Sequence, residues 1–293
     1  MNDLNLIINT GEIYGLLGHN GAGKTTALRL MLGLMATTSG EISVFGLNPI
    51  EKGRQIRAKC GVLSEHVGLY EPLTVYENLK YYSEIYGITK NEYDKRMDEL
   101  LELFEISDKK HSPIKGFSTG MKKKVALIRA ILHNPPIVLL DEPTNGLDPV
   151  SIEKLRETIL DLSEKYGTTF IITTHNLDEV VRTCDKISIL KHGKDIVTKT
   201  IQELEMESQL NVIIQSTQNL ENLSNEIEQT MKSIKSIINY ELSKNEILIT
   251  TEKNVTSEVI KKLSIKNINI ENVITKSTGL LDLYMKVESD SYE

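Results

Sequence analysis

Cysteine is scarce in this sequence: only Cys60 and Cys184 occur, with no metal-ligand spacing. Both read as small core residues of a protein held in a reducing compartment. Long apolar runs are missing too. Ile137–Leu140 is representative, and the ~20 consecutive apolar residues of a membrane-spanning helix occur nowhere. The first residues lack a basic start followed by an apolar stretch, so no signal peptide is read. A cytosolic protein is expected, with any membrane role peripheral. Basic residues are in deficit, 34 lysines and arginines against 41 acidic residues, for a net charge of −7. That balance argues against nucleic acid as a partner, because a phosphate backbone calls for a basic surface.

Other scarcities are local. All seven prolines lie at or before Pro149, the last arginine is Arg182, and the only glycine after Gly193 is Gly279. From Glu205 onward there are nine lysines against fourteen acidic residues, a net of −5. The shift places a domain boundary near residues 200–208, between a large domain over 1–204 and a small one over 205–293. The front alternates strands and helices. Ile13–Leu17 is a short apolar strand that leads through a Gly-rich turn into a helix from Lys24 to about Met35. Ile137–Leu140 and Thr169–Ile172 are continuous apolar runs, the pattern of parallel strands buried on both faces. An amphipathic helix over Val150–Tyr166 lies between them. This alternation predicts an α/β domain with a mostly parallel sheet. Residues 66–134 contain three helical stretches, Thr74–Tyr86, Asn91–Phe104 and Thr119–Leu132, which predict an inserted helical subdomain. The tail reads as strand Asn211–Gln215, helix Leu220–Ile234 and strands Ile237–Leu242 and Glu246–Thr250. Helix Ser257–Leu263, strand Asn269–Thr275 and a last helical turn near Leu281 follow. That βαββαβ order is compatible with a small α+β domain.

Three segments carry chemistry. Gly18, His19, Asn20, Gly21, Ala22, Gly23, Lys24 and Thr25 fit G-x-x-x-x-G-K-[ST], between an apolar strand and a helix. Glycines let successive backbone N–H groups point inward as an anion cradle, and the helix adds the positive end of its dipole. Lys24 would reach the β- and γ-phosphates, and Thr25 would offer its hydroxyl to Mg2+. Asp141 and Glu142 are adjacent carboxylates at the C-terminal end of an apolar strand, where open α/β sheets bind ligands. Asp141 would hold Mg2+ and Glu142 would orient or deprotonate an attacking water; a solvated acidic turn is the plain alternative. His175 would sit at the end of a neighbouring strand and reach the γ-phosphate. Taken alone, a single histidine is more often an ordinary surface or core residue; its weight comes from its spacing relative to the other two segments.

Over roughly residues 3–200, these and further segments resemble the nucleotide-binding domain of ABC transporters, a P-loop NTPase. The P-loop, a signature at Phe117, Ser118, Thr119, Gly120 and Met121, and the strand ending in Glu142 occur in the family's order. So do a D-loop over Asn145–Asp148 and a switch histidine, His175. The resemblance implies an ATPase that uses ATP and Mg2+, with phosphate contacts from Gly18 through Thr25 to Thr26. It implies catalytic roles for Lys24, Glu142 and His175, and a D-loop role for Asp148. It also implies a dimer of two such chains around two ATP molecules, each P-loop completed by Ser118, Thr119, Gly120 and Met121 of the other copy. The Ser118 hydroxyl and the Gly120 N–H would meet the γ-phosphate. A separate transmembrane permease is implied as partner, at the cytoplasmic face of the cell membrane. The final segment Thr278–Met285 resembles that of subunits from exporters of drugs, antimicrobial peptides or ions.

Departures from the family pattern are informative. Glu65 stands where the family has a glutamine that links Mg2+ to the helical subdomain. It keeps an oxygen ligand, adds negative charge and loses an amide donor, which predicts altered Mg2+ or turnover behaviour. In the signature, Phe117 replaces Leu, Thr119 replaces Gly and Met121 replaces Gln, while Ser118 and Gly120 remain. The family's first strand, with the aromatic that stacks on adenine, has no counterpart before the P-loop strand, and Tyr14 is expected to be buried. Loss of such a stack costs ~1–3 kcal/mol, and a misplaced start is preferred to a functional short form. Tyr70, Tyr76, Tyr81, Tyr82 and Tyr86 fall where the family receives a cytoplasmic helix of the permease; they read equally as packing within the subdomain. The rival readings are a non-transport cytosolic ABC ATPase, such as a ribosome-acting factor, and a catalytically weak nucleotide-dependent scaffold. One cassette and an acidic balance weigh against the first, and retained Lys24, Asp141, Glu142 and His175 against the second.

Overall fold

A computed structural model describes residues 1–207, 210–277 and 284, and the chain divides into two compact units, Met1–Ile201 and Gln202–Glu293. In the first, β1 (Ile13–Leu17), α1 (Lys24–Met31), α2 (Pro49–Arg57) and β2 (Cys60–Leu63) are followed by three long helices. These are α3 (Val75–Ile85), α4 (Lys90–Leu103) and α5 (Thr119–Ile131). Then come β3 (Ile137–Asp141), α6 (Pro149–Tyr166), β4 (Thr169–Thr174), α7 (Leu177–Thr183), β5 (Lys186–Lys191) and β6 (Lys194–Thr200).

The sheet order is β2-β3-β4-β1-β5-β6. All neighbours are parallel except the β5–β6 hairpin. Every residue of β1 and β4 is buried, and so are four of the five in β3, as continuous apolar runs demand of strands covered on both faces. Tyr14 is wholly buried and its hydroxyl meets Ser188 Oγ at 2.6 Å. Residues 1–12 form no strand, and Leu4, Leu6 and Ile8 pack half-buried on the core.

Local sequence sets the helix ends. Thr74 and Glu77 close a capping box on α3, Thr89 and Glu92 another on α4, and Asp148 caps α6 before Pro149. The helix expected to run to about Met35 stops at Met31, because the chain turns at Gly33 with φ 64°. Gly61 is required by close approach: a Cβ there would lie 2.1 Å from the Ala130 carbonyl oxygen of α5. Gly61→Ala is therefore expected to destabilise the protein by about 1–3 kcal/mol, read as an earlier midpoint in urea.

The second unit contains α8 (Ile201–Glu207, its first residue belonging to the first unit), β7 (Leu210–Gln215), α9 (Ser224–Lys232) and β8 (Ile237–Leu242). β9 (Glu246–Thr251), α10 (Thr256–Ile265) and β10 (Asn272–Ser277) complete it. Its sheet is antiparallel throughout, in the order β10-β7-β9-β8. Val212, Ile214, Ile247 and Ile249 pack against Ile227 and Met231 of α9 and Val259 and Leu263 of α10. The helix expected from Leu220 opens as a 3-10 turn over Leu220–Leu223 before α9 begins. The turn expected near Leu281, and the exporter-like segment Thr278–Met285 except Tyr284, lie outside the described residues.

Candidate functional site

Strands β1, β3 and β4 are adjacent and parallel, so their C-terminal ends deliver Gly18, Asp141, Glu142 and His175 to one edge of the sheet. The turn after β1 is the anion cradle. Gly18 N donates to Thr174 O at 3.3 Å, and Gly193 N donates to Ala22 O at 2.8 Å, which fastens the loop to β4 and to the β5–β6 turn. Gly21 and Gly23 take φ 87° and 112°, and Gly23 caps α1. Asn20 and Gly21 are exposed, and His19 Nδ1 lies 2.7 Å from Asn20 O. Thr26 follows Thr25 on α1 and is half-buried.

Lys24 is 6% exposed. Its Nζ donates to Gly18 O at 2.6 Å and to His19 O at 3.3 Å, and stands 3.1 Å from Glu142 Oε1. Thr25 Oγ1 donates to Asp141 Oδ2 at 2.9 Å, and Thr173 Oγ1 donates to Asp141 Oδ1. Glu142 follows β3 with φ 49°, a conformation side-chain-bearing residues seldom adopt. Its N–H is held by Thr173 O at 3.0 Å. Its Oε2 lies 2.9 Å from Nδ1 of His175, which is 51% exposed. Oε1 is buried, with the Lys24 ammonium as its charged partner. One carboxylate thus bridges the P-loop lysine and the histidine, one oxygen to each.

A hydroxyl and a carboxylate oxygen side by side, Thr25 with Asp141, suit a small hard cation that takes its remaining ligands from water and phosphate. Among the described residues no group of three or more His, Cys, Asp or Glu could hold a metal by itself. Glu65 is exposed just beyond β2, and no hydrogen bond joins it to Thr25 or Asp141. Its charge does reach Lys123. Ser118 caps α5, accepting from Met121 N at 3.3 Å, and with Thr119 it is exposed. Gly120 packs against the D-loop, where a Cβ on it would lie 3.4 Å from Gly146 O. No hydrogen bond joins the signature residues to Lys24, Asp141 or His175 among the described residues. Asp148 accepts from Ser151 N at 3.0 Å, and Ser151 holds its carboxyl below the usual range.

Sequence reasoning missed Thr173, Glu179 and Lys123. Glu179 accepts from Thr174 Oγ1 at 2.6 Å and Thr144 Oγ1 at 3.1 Å, and burial pushes its carboxyl up. Lys123 hides in the run Lys122–Lys124, which reads as a solvated face. The tyrosines divide: Tyr70, Tyr81 and Tyr82 touch one another, Tyr76 lies on Tyr93 and His111, and Tyr86 stacks on His133. Both cysteines are buried, and burial pushes the Cys60 thiol up to about 12.

The ABC transporter family model matches residues 1–145. The ABC transporter ATP-binding protein YhcH of Bacillus subtilis is 30% identical over 296 residues, covering 100% of this chain and 92% of that protein. The bacitracin transport ATP-binding protein BcrA of Bacillus licheniformis is 40% identical over 191 residues, 65% of this chain and 61% of that protein. A solved dimeric ATP-binding cassette, in a post-hydrolysis state with ADP and Pi, matches with a TM-score of 0.63 at 28% identity, over 68% of this chain and 89% of the other. With a likeness that runs the whole length of the sequence and a P-loop, acidic strand end and histidine brought to one sheet edge, this chain belongs to the ABC transporter family as an ATP-binding, ATP-hydrolysing subunit.

Proposed function

We propose that this chain hydrolyses Mg-ATP as a dimer of two copies and powers export through a separate permease at the cytoplasmic face of the membrane. The observation that carries this reading is the Glu142 carboxylate held between Lys24 and His175. In this mechanism the cradle N–H groups and Lys24 bind the β- and γ-phosphates. Thr25 and Asp141 would hold Mg2+, with Glu65 as a further oxygen ligand, and the ion would supply charge neutralisation at the phosphate oxygens. Glu142 orients the attacking water and accepts its proton, while Lys24 and His175 fix the carboxylate from either side. Ser118 and Gly120 offer their hydroxyl and N–H to the other copy's γ-phosphate from the exposed start of α5. Contacts that ATP makes and ADP does not then favour the closed dimer.

Export is supported by similarity to a bacitracin transport protein, and peripheral attachment by a fold in which no described helix is long and apolar enough to cross a membrane. The permease contact is assigned to Tyr70, Tyr81 and Ile85, exposed by 47%, 43% and 60%. Tyr70 and Tyr81 stand edge to face at 5.2 Å, and amphipathic aromatics suit such an interface.

Purification of the tagged chain from solubilised membranes tests the reading. A polytopic membrane protein in the eluate is expected; ribosomal proteins in its place would sink transport in favour of the non-transport ATPase. The Tyr70→Ser/Tyr81→Ser variant should keep its ATPase rate while membrane-protein recovery falls at least about tenfold, the loss expected of central aromatic anchors. Unchanged recovery would remove these tyrosines from the interface.

A further inference from the structure

We propose that Lys123 is a positioning residue for hydrolysis, a buried cation that clamps the turn carrying Glu142 to the helix that begins with the signature. The proposal deepens the reading of Glu142 as the base and rests on it. Lys123 lies on α5, one turn beyond Thr119 and Gly120, and is 5% exposed. Its Nζ donates to Glu142 O at 2.6 Å and to Asn145 O at 2.8 Å. These two carbonyls bracket the turn after β3. Within that turn Asn145 N reaches Glu142 O only at 3.4 Å, so the lysine joins its two ends more closely than the turn's own backbone does.

The turn has reason to need one. Glu142 sits at φ 49°, and such conformations persist only where their surroundings hold them. Burying an ammonium is expensive, and an apolar side chain of similar length would fill the space without that cost. Lys123 forms no ion pair within 4.0 Å among the described residues. Burial draws its ammonium below the usual range, opposed by the charges of Glu179, Glu142, Asp141 and Glu65. What the amine gains in return is two carbonyl acceptors on the catalytic loop.

The consequence for chemistry is directional. The side chain of Glu142 leaves a backbone whose carbonyl is fixed, so its carboxylate stays between Lys24 and His175. The same rigid helix presents Ser118–Met121 at its first turn. A nucleotide engaged there by the other copy is thereby connected, through one helical turn and one amine, to the base of this copy's own site.

Two variants test it. Lys123→Met keeps the length and removes the donors; Lys123→Arg keeps the charge and restores donors. In Lys123→Met, kcat is expected to fall by about tenfold to a hundredfold, the scale of a misplaced catalytic group, with the Mg-ATP Kd within about threefold of the parent. Lys123→Arg should recover kcat to within about threefold. Hydrogen exchange without nucleotide gives an independent reading: amides of residues 142–147 should exchange at least about tenfold faster in Lys123→Met and return in Lys123→Arg. Unchanged exchange in that turn overturns the proposal, and so does a kcat near the parent's or a loss of Kd as large as the loss of kcat. If Lys123→Met does not fold, Lys123→Gln replaces it, with the same expectations. A parent chain without ATPase activity would defeat the reading of Glu142 as base, and exchange at 142–147 would still decide the clamp.

Discussion

Mg-ATP will convert the Glu142→Gln variant into a long-lived dimer while its turnover falls by roughly a hundredfold to ten-thousandfold, the range expected for loss of a general base. Glutamine preserves the length and the contact with His175, and it leaves Lys24, Thr25 and Asp141 in place. What it removes is the negative charge of the carboxylate held between Lys24 and His175, and with it the capacity to accept a proton from water. Light scattering reads the association and phosphate release reads the rate. A dimer with ATP and a monomer with ADP is the expected pair of results. A variant that stays monomeric at saturating Mg-ATP would overturn the dimer of two copies, and one that hydrolyses at the parent's rate would remove Glu142 from the chemistry.

The second large effect concerns stability without nucleotide. Lys24→Met is expected to cost about 3 kcal/mol, since it strands a carboxylate that is only 12% exposed. Adding Glu142→Gln should return most of that loss, because the stranded charge is gone. In a denaturant double-mutant cycle the coupling between the two sites should exceed about 1 kcal/mol. Strict additivity would mean that His175, which is half-exposed and touches the same carboxylate, compensates the charge by itself. Both Lys24 variants should also bind Mg-ATP roughly ten- to hundredfold more weakly, the worth of charge-assisted contacts to phosphate.

What was legible in the sequence follows from how each element is stabilised. β1, β3 and β4 are readable because burial on both faces demands an unbroken apolar run, and the P-loop because its spacing is dictated by phosphate geometry. The caps at Thr74 and Asp148 likewise announce their helices. The end of α1 is less legible: Leu34 and Met35 continue an apolar pattern, and only the turn at Gly33, under the Pro49 carbonyl, stops the helix. β5 and β6 escape notice because their hairpin turns on His192 and Gly193, both at positive φ, without an Asn-Gly or Asp-Gly signal. In the site, Asp141, Glu142 and His175 can be picked out by chemistry and strand position. Lys123 cannot, because one lysine in a run of three looks like solvated charge until the tertiary structure shows which of them turns inward.

The place of β1 in the sheet has a consequence for the chain during its synthesis. Ile13 pairs with Phe170 and Tyr14 with Lys186, so the strand that aims the phosphate cradle has neither neighbour until the ribosome has moved far downstream. At the usual 5–20 residues per second, the P-loop waits on the order of ten to thirty seconds between translation and completion. The first segment of the nucleotide site to be made is therefore among the last to acquire its shape. A nascent chain that ends before β4 and β5 has the phosphate-binding residues in hand but no sheet on which to mount them.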